Sequence, residues 1–249
     1  MDKFKTWIFQ RKIAIIVILC LLLLCFHLIQ ILPQNLMISC IDVGQGDCTL
    51  ITTPNHKNIL IDGGGSSDLK KYDVGEKVLL PYLLNHHIRK IDLMIISHFD
   101  SDHCNGLIAI LENIKIDKLI IGEQKEISKE YLNIMKIAQD KKIAVKNVQK
   151  GDKIGLDKNT YFDVIYPANE LSQEGLNNNS LVLELNYNKF SMLFTGDIEK
   201  EAEKSIINAN QNLKSTILKV AHHGSNTSST KEFLELVQPK LALIRSRRK

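Results

Sequence analysis

The sequence predicts a layered α/β domain with a mixed sheet, set behind one long apolar N-terminal helix. Three observations lead there. Between residues 36 and 244, short β-rich stretches alternate with helix-like stretches, as in a sheet that carries hairpins and is covered by helices. Residues 13–32 read IAIIVILCLLLLCFHLIQIL, without a formal charge. Several apolar strands end in Asp, His or Gly, at the strand tips where α/β sheets assemble their sites.

The apolar run comes first. Twenty helical residues span about 30 Å, the hydrocarbon thickness of a bilayer, and a core helix is seldom apolar on every face for that length. Residues 13–32 are therefore expected to cross a membrane. A cleaved signal peptide would want a shorter core and a small-residue cleavage site, and Gln30-Ile31-Leu32-Pro33-Gln34 offers no small pair. Lys3, Lys5, Arg11 and Lys12 precede the run, and the first charges after it are Asp42 and Asp47. The positive-inside rule puts residues 1–12 in the cytoplasm and the domain, residues 36–244, outside the cell. The expectation is a single-pass protein of the cell membrane with an extracellular domain and a basic tail at 245–249.

Residues 36–41, 48–52 and 58–61 are β-rich and separated by Gly, Pro and Asn turns, so they read as three strands. Residues 74–87 place Val78, Leu79, Tyr82 and Leu83 at helical spacing, with Pro81 predicting a kink or a later start. The run 91–97 reads as a buried strand, 102–114 as a helix and 119–121 as a further strand. Residues 127–140 are amphipathic, 142–148, 153–156 and 160–166 read as strands, and 180–187 with 190–194 form a hairpin around Asn188-Lys189. A helix at 198–209, a strand at 216–221, a helix at 229–237 and a strand at 241–244 complete the order. The basic run 245–249 follows the last strand at once. A short basic tail and a domain cut short both account for this ending; the second is expected, and it would leave an open sheet edge and reduced stability.

Charge and cysteine content narrow the function classes. Of 32 basic and 28 acidic residues, eight bases and one acid lie within 1–12 and 245–249, which leaves the central part at about −3. A domain of that sign does not advertise nucleic-acid binding, because phosphate backbones are held by basic surface. Cys20 and Cys25 fall in the apolar run, leaving Cys40, Cys48 and Cys104, an odd set without CxxC spacing. No disulfide framework is expected.

The densest chemistry is Ser97-His98-Phe99-Asp100-Ser101-Asp102-His103. Four potential metal ligands occupy six positions, and His and Asp are costly to bury together unless a cation holds them. His98, Asp100 and Asp102 alternate along an extended segment, and His103 follows as the chain turns into a helix. An N-cap role for Asp102 would explain one of the four. Further polar tips follow other strands: Asp42, Gln45 and Asp47 in DVGQGD, Asp62 in LIDGGG, Asp197 in FTGD, and His222 and His223 in VAHHGS. The glycines at 63–65 are no phosphate loop, since no GK[ST] follows.

In this order, DVGQGD, LIDGG, SHxDxDH, NNxSLVLxL, LxTGD and LKVAHHGS resemble the metallo-β-lactamase-type domain of the ComEC competence DNA-uptake family, over residues 37–242. The chain resembles a stand-alone version of that domain, with one span in place of a multi-span channel. The resemblance implies an αββα sandwich with two divalent metal ions between the sheets, zinc first and manganese as the alternative. It implies that His98 and Asp100 bind one metal and Asp102 and His103 the other. Asp197 would bridge them, and His222 or His223 would complete the set, with Asp102 and Asp197 catalytic. Strand alternation would send the two histidines to opposite faces, so one of them is expected to point inward. Asp62 would orient ligands from behind, as metal sites require, with Asp42, Gln45 and Asp47 near the entrance. Asn179 and Ser180 stand where relatives carry a further His, which leaves one metal more open to substrate. Lys219 would meet the charge of a phosphate. The implied activity is metal-dependent hydrolysis of a phosphodiester, DNA included. The other readings are hydrolysis of a lactone, amide or choline-phosphate ester, and a metal-binding relic without activity.

Overall fold

The computed structural model describes residues 2–31, 35–44, 46–67, 72–167, 175–209 and 212–245, without the side chains of 2–6 and 26–31. Helix α1 (Asp2–Ile31) carries the apolar run. Its stretch Trp7–Cys25 has a mean hydropathy of 2.4, none of it buried, and is long and apolar enough to cross a membrane. The predicted span agrees with α1 up to residue 31; Leu32 lies outside the described residues.

After α1, strands β1 (Met37–Cys40), β2 (Thr49–Thr52) and β3 (Asn58–Ile61) form an antiparallel meander. The two-residue strand β4 (Lys90–Ile91) precedes β5 (Leu93–Ile96), and β6 (Lys115–Ile116) precedes β7 (Lys118–Gly122). Strands β5, β7 and β8 (Ala144–Val148) extend the meander in parallel, giving a mixed sheet of order β1-β2-β3-β5-β7-β8. Parallel strands need crossovers, and helices supply them. Helix α2 (Leu80–Asn85) joins β3 to β5, α3 (Ser101–Cys104) and α4 (Leu107–Asn113) join β5 to β7, and α5 (Lys129–Asp140) joins β7 to β8. All of β5 is buried, which is why it reads as an unbroken apolar run.

The second sheet starts with an antiparallel meander of β9 (Lys153–Asp157), β10 (Thr160–Tyr166), β11 (Val182–Tyr187) and β12 (Phe190–Phe194). Helix α6 (Lys200–Asn208), β13 (Ile217–Lys219), α7 (Lys231–Val237) and β14 (Leu241–Leu243) follow, with β13 and β14 parallel to β12. Strand alternation sorts the core into three layers. Ile59, Ile95 and Ile120 face Phe162, Leu183 and Phe194 between the sheets. Leu60, Met94 and Leu119 turn outward onto Leu83, Ile110 and Ile134 of the helices. On the other side Val182, Leu193 and Leu218 meet Ala202, Phe233 and Val237. The molecule is an αββα sandwich, as expected.

The departures from the predicted elements have local causes. The single helix expected at 74–87 is a π-helical stretch Gly75–Leu79 running into α2, with Pro81 in the first turn of α2. Proline has no N–H to give to the preceding turn, so the later start is the outcome. The helix expected at 102–114 is split into α3 and α4 around Asn105-Gly106. The strand expected at 216–221 stops at Lys219, and Ala221–Gly224 is a tight turn. Strands β4 and β6 pair in a small parallel sheet that the sequence pattern did not predict. Strand β14 is the outer strand of its sheet among the described residues, with Leu241 and Ile244 exposed.

Candidate metal centre

The segments that follow β3, β5, β12 and β13 meet at one end of the sandwich and bring Asp62, residues 97–103, Asp197 and His223 together. Asp62, in a left-handed conformation at φ 54, accepts hydrogen bonds from Ser97 N (2.8 Å) and Ser97 Oγ (2.7 Å). It also accepts one from His103 Nδ1 at 3.0 Å. An ionised carboxylate only accepts, so the proton sits on Nδ1 and Nε2 of His103 is turned inward. There Nε2 lies 3.2 Å from Asp197 Oδ2. The rings of His98 and His103 lie against each other with centroids 4.1 Å apart.

His223 is oriented in the same manner from the other side. Its Nδ1 donates to the carbonyl of Arg245 at 3.1 Å. Its Nε2 lies 3.4 Å from Asp102 Oδ2 and 3.3 Å from Asp197 Oδ2. Asp197 is held from behind by Ser180, whose Oγ accepts from Asp197 N at 3.2 Å. Two glycines make these approaches possible. A Cβ on Gly46 (φ 98) would lie 1.7 Å from the Asp102 carbonyl oxygen, and one on Gly196 (φ 53) would lie 2.8 Å from Ser180 Cβ. Both also adopt the left-handed backbone that glycine tolerates best.

Asp47 closes the constellation. It is buried, and its Oδ2 is ion-paired with Lys219 Nζ, which also donates to Val220 O at 3.0 Å. The guanidinium of Arg245 stands 4.0 Å from Asp47 Oδ1 and donates to Cys48 O at 2.9 Å. Three overlapping triads result: His98–His103–Asp197, Asp102–His103–His223 and Asp47–Asp197–His223, each with ligand atoms within 4.8 Å of one another.

The donor set suits divalent cations. Among the described residues, seven buried side-chain polar atoms lack a hydrogen-bond partner. Five of them are Asp47 Oδ1, His98 Nε2, His103 Nε2, Asp197 Oδ1 and His223 Nε2. Buried polar atoms are nearly always satisfied, and imidazole nitrogens mixed with carboxylates are the ligands of zinc and manganese. With protons alone, the cluster settles as charged pairs. Burial opposes charge on His103, but Asp197 and Asp62 overcome it and raise its pKa well above the ordinary value. Burial likewise opposes charge on His223, and Asp102 and Asp197 push it up to about 9. Asp197 and Asp102 are held below the usual carboxylate range: burial works the other way and the imidazolium partners win.

Several predicted site residues lie elsewhere or play other parts. His222 does not join the triads; its Nδ1 is 3.1 Å from Glu199 Oε1 and 3.2 Å from Thr227 Oγ1. Alternation along a strand did not decide this, because both histidines sit in a turn with φ of 48 and 54. Lys219 is 4% exposed and committed to Asp47, so it is not a free phosphate ligand. Asp42 is exposed and accepts from Gly44 N at 3.1 Å, a local turn. Asn179 donates to Gly175 O at 3.1 Å within its own turn. Asp100 stays at the rim, with Oδ2 3.6 Å from His98 Nε2. It also occupies the N-cap of α3 without a side-chain cap bond, so an N-cap does not explain Asp102. Gln45 lies outside the described residues. Glu199, which holds His222, and Arg245, which holds His223, were not singled out in advance. The first stands among ordinary helix-start residues and the second acts through its backbone carbonyl, which no side-chain pattern signals.

Residues 41–244 match the family model of the metallo-beta-lactamase superfamily. The chain belongs to this superfamily. Among proteins similar to this metallo-β-lactamase domain, ComE operon protein 3 of Bacillus subtilis (strain 168) is 33% identical over 214 residues, covering 82% of this chain and 27% of that protein. Recombination protein 2 of Haemophilus influenzae is 32% identical over 233 residues, covering 94% and 27%. Competence protein ComA of Neisseria gonorrhoeae is 28% identical over 219 residues, covering 87% and 28%. The likeness to the ComEC competence family stands with these relatives, of whose length the chain spans just over a quarter. The solved CmlA β-hydroxylase E377D mutant superposes with a TM-score of 0.54 at 10% identity, covering 84% of this chain and 45% of that one. That likeness shows the fold alone.

Proposed function

We propose that this metallo-β-lactamase domain is a divalent-metal-dependent phosphodiesterase whose substrate class is DNA, anchored in the cell membrane by α1 with the domain outside. One observation carries the reading: three buried imidazole Nε2 atoms without a hydrogen-bond partner converge with Asp102 and Asp197 at the strand tips. His98, Asp100 and Asp197 would hold one cation, and Asp102, His103, His223 and Asp197 the second. When bound, such a pair activates water near neutral pH and stabilises charge on the oxygens of a phosphodiester. The chain's own residues orient and shield. Asp62 and Ser97 fix the His103 ring, the Arg245 carbonyl fixes His223, and Ser180 anchors the Asp197 backbone. Asp100, with a side chain 39% exposed, leaves the His98 side of the site the more accessible to substrate.

Two further observations support the finer points. Lys3, Lys5, Arg11 and Lys12 lie before the apolar core of α1, the arrangement that keeps an N-terminus in the cytoplasm. The relatives' names include competence and recombination, which favours DNA over amide or lactone substrates. The central charge of about −3 favours a single strand delivered to the site over tight duplex binding.

The test uses the full chain in detergent, assayed for bound metal and offered bis-p-nitrophenyl phosphate, single-stranded DNA and nitrocefin. About two metal equivalents, the load of a two-metal site, are expected, with cleavage of both diesters that Asp102→Ala abolishes. Turnover of nitrocefin alone would overturn the diester reading. Absence of bound metal would overturn the hydrolase.

A further inference from the structure

A second concavity lies at the opposite ends of the strands from the metal centre. It opens between the starts of β3, β5 and β7, strand β8 and the facing edge strand β9, and has a volume of about 460 Å³, within the range of small-molecule sites. Its floor is apolar, built from the buried Ile59, Leu93, Ile120 and Leu156. Its rim is basic, with Lys57, Lys118, Lys146 and Lys153. The register pairs Lys118 with Ala144 and Ile120 with Lys146. Lys118 and Lys146 therefore project from the same face as Ile120, toward the second sheet.

The compensation of these charges is uneven. Two rim carboxylates, Asp92 and Asp117, are both taken by Lys90, at 2.7 and 2.6 Å, and Asp92 also accepts from Asn58 N at 2.9 Å. Lys57 donates to Leu156 O at 2.7 Å. Lys153 lies 3.3 Å from Asp163 and over the Tyr161 ring at 3.9 Å. Lys118 and Lys146 have no hydrogen bond or ion pair among the described residues. Like charges on neighbouring strands repel, and an anion between them would remove that cost while an apolar body covers the floor.

We propose that this concavity binds a small organic anion: an acidic head on Lys118 and Lys146, and an apolar body on Ile59, Leu93 and Ile120. The edge strands of both sheets, β8 and β9, line it, so an occupant ties the two halves of the sandwich together and stabilises the fold by mass action. The site is independent of the metal chemistry proposed above.

Naphthalene-2-sulfonate is a suitable probe, because a sulfonate is a poor metal ligand and the ring system supplies the apolar body. Calorimetric titration of the full chain in detergent should give saturable one-to-one binding and a raised melting temperature, whereas sodium sulfate at matched ionic strength should give neither. The double variant Lys118→Glu, Lys146→Glu should weaken binding by at least about tenfold, as expected for losing charge-assisted contacts. Its metal content should be unchanged, and Lys231→Glu on α7 should bind as the wild type. If the charge reversal unfolds the protein, Lys118→Ala with Lys146→Ala should show the same loss. Binding that survives these changes, no saturable binding, or equal binding of sulfate would each overturn the proposal.

Discussion

His103 gives its two ring nitrogens different tasks: Nδ1 donates to Asp62 and Nε2 faces Asp197 and the cation position. The proton that Asp62 requires on Nδ1 leaves Nε2 as the nitrogen that would meet a cation, so Asp62 would set metal affinity without touching the metal. Asp62→Ala should weaken cation binding by about 10–100-fold, the usual cost of losing such a support, whereas His222→Ala should leave it unchanged. Competition with a chromophoric chelator measures both, and equal losses in the two variants would refute the assignment. The same cluster predicts a pH signature in chelated protein. The His223 pKa is about 9 when folded, against about 6.5 for an unperturbed histidine. Its contribution to stability is therefore complete below about pH 6.5 and lost as pH rises through about 9. The melting temperature of chelated protein should fall across that window, and cation loading, which needs the neutral ring, should remove the fall. A flat profile in chelated protein would contradict it. At this scale the sequence was legible where side chains crowd one motif, as with His98, Asp102 and His103, whereas Asp197, the lone acid of FTGD, was placed through the resemblance. It was opaque where the backbone acts, as with the Arg245 carbonyl, or where left-handed residues redirect a side chain, as with His222.

Among the elements, the turn before α7 shows how a buried acid can organise a helix start. Glu203 of α6 is fully buried and accepts from Thr230 N at 2.8 Å and Thr230 Oγ1 at 2.7 Å, and from Ser229 N. Thr230 is itself the N-cap of α7, its side chain accepting from Phe233 N. Glu203→Ala would remove the acceptor of three donors in a half-buried turn, where water offsets part of the roughly 1–3 kcal/mol that a fully buried unsatisfied group costs. A loss of about 2 kcal/mol in urea denaturation is expected, with Thr230→Ala costing about 1 kcal/mol, as for other lost caps. A Glu203→Ala chain as stable as the wild type would refute this. Hydrophobic periodicity located these helices, and at Pro81, where a kink or a later start was expected, α2 takes over from a π-helical stretch. The break between α3 and α4 and the pairing of β4 with β6 were hidden for different reasons. Asn105-Gly106 interrupts a helical pattern without changing its apolar spacing, and two-residue strands are too short to show any period.

Across the whole molecule, the layer between the sheets holds the sandwich together, and Phe162 is its largest fully buried contributor, edge-on to Phe194 with centroids 6.2 Å apart. Phe162→Ala should cost about 3–5 kcal/mol, the range for aromatic truncation in a core, measured by chemical denaturation of the metal-loaded protein. A cost below about 1 kcal/mol would show that the two sheets are not packed as described. The strands of both sheets could be read from the sequence, but their division into two sheets could not, because alternation within a strand says nothing about which strands pair. The order of motifs supplied that through resemblance. Asp47, Asp62 and residues 98–103 come from the first half of the chain, Asp197 and His223 from the second, and Arg245 from the last described position. A polypeptide emerging from the ribosome therefore cannot assemble the whole constellation until residues 47 to 245 have all been synthesised and the two sheets have docked. Metal uptake would thus report that the two sheets have come together.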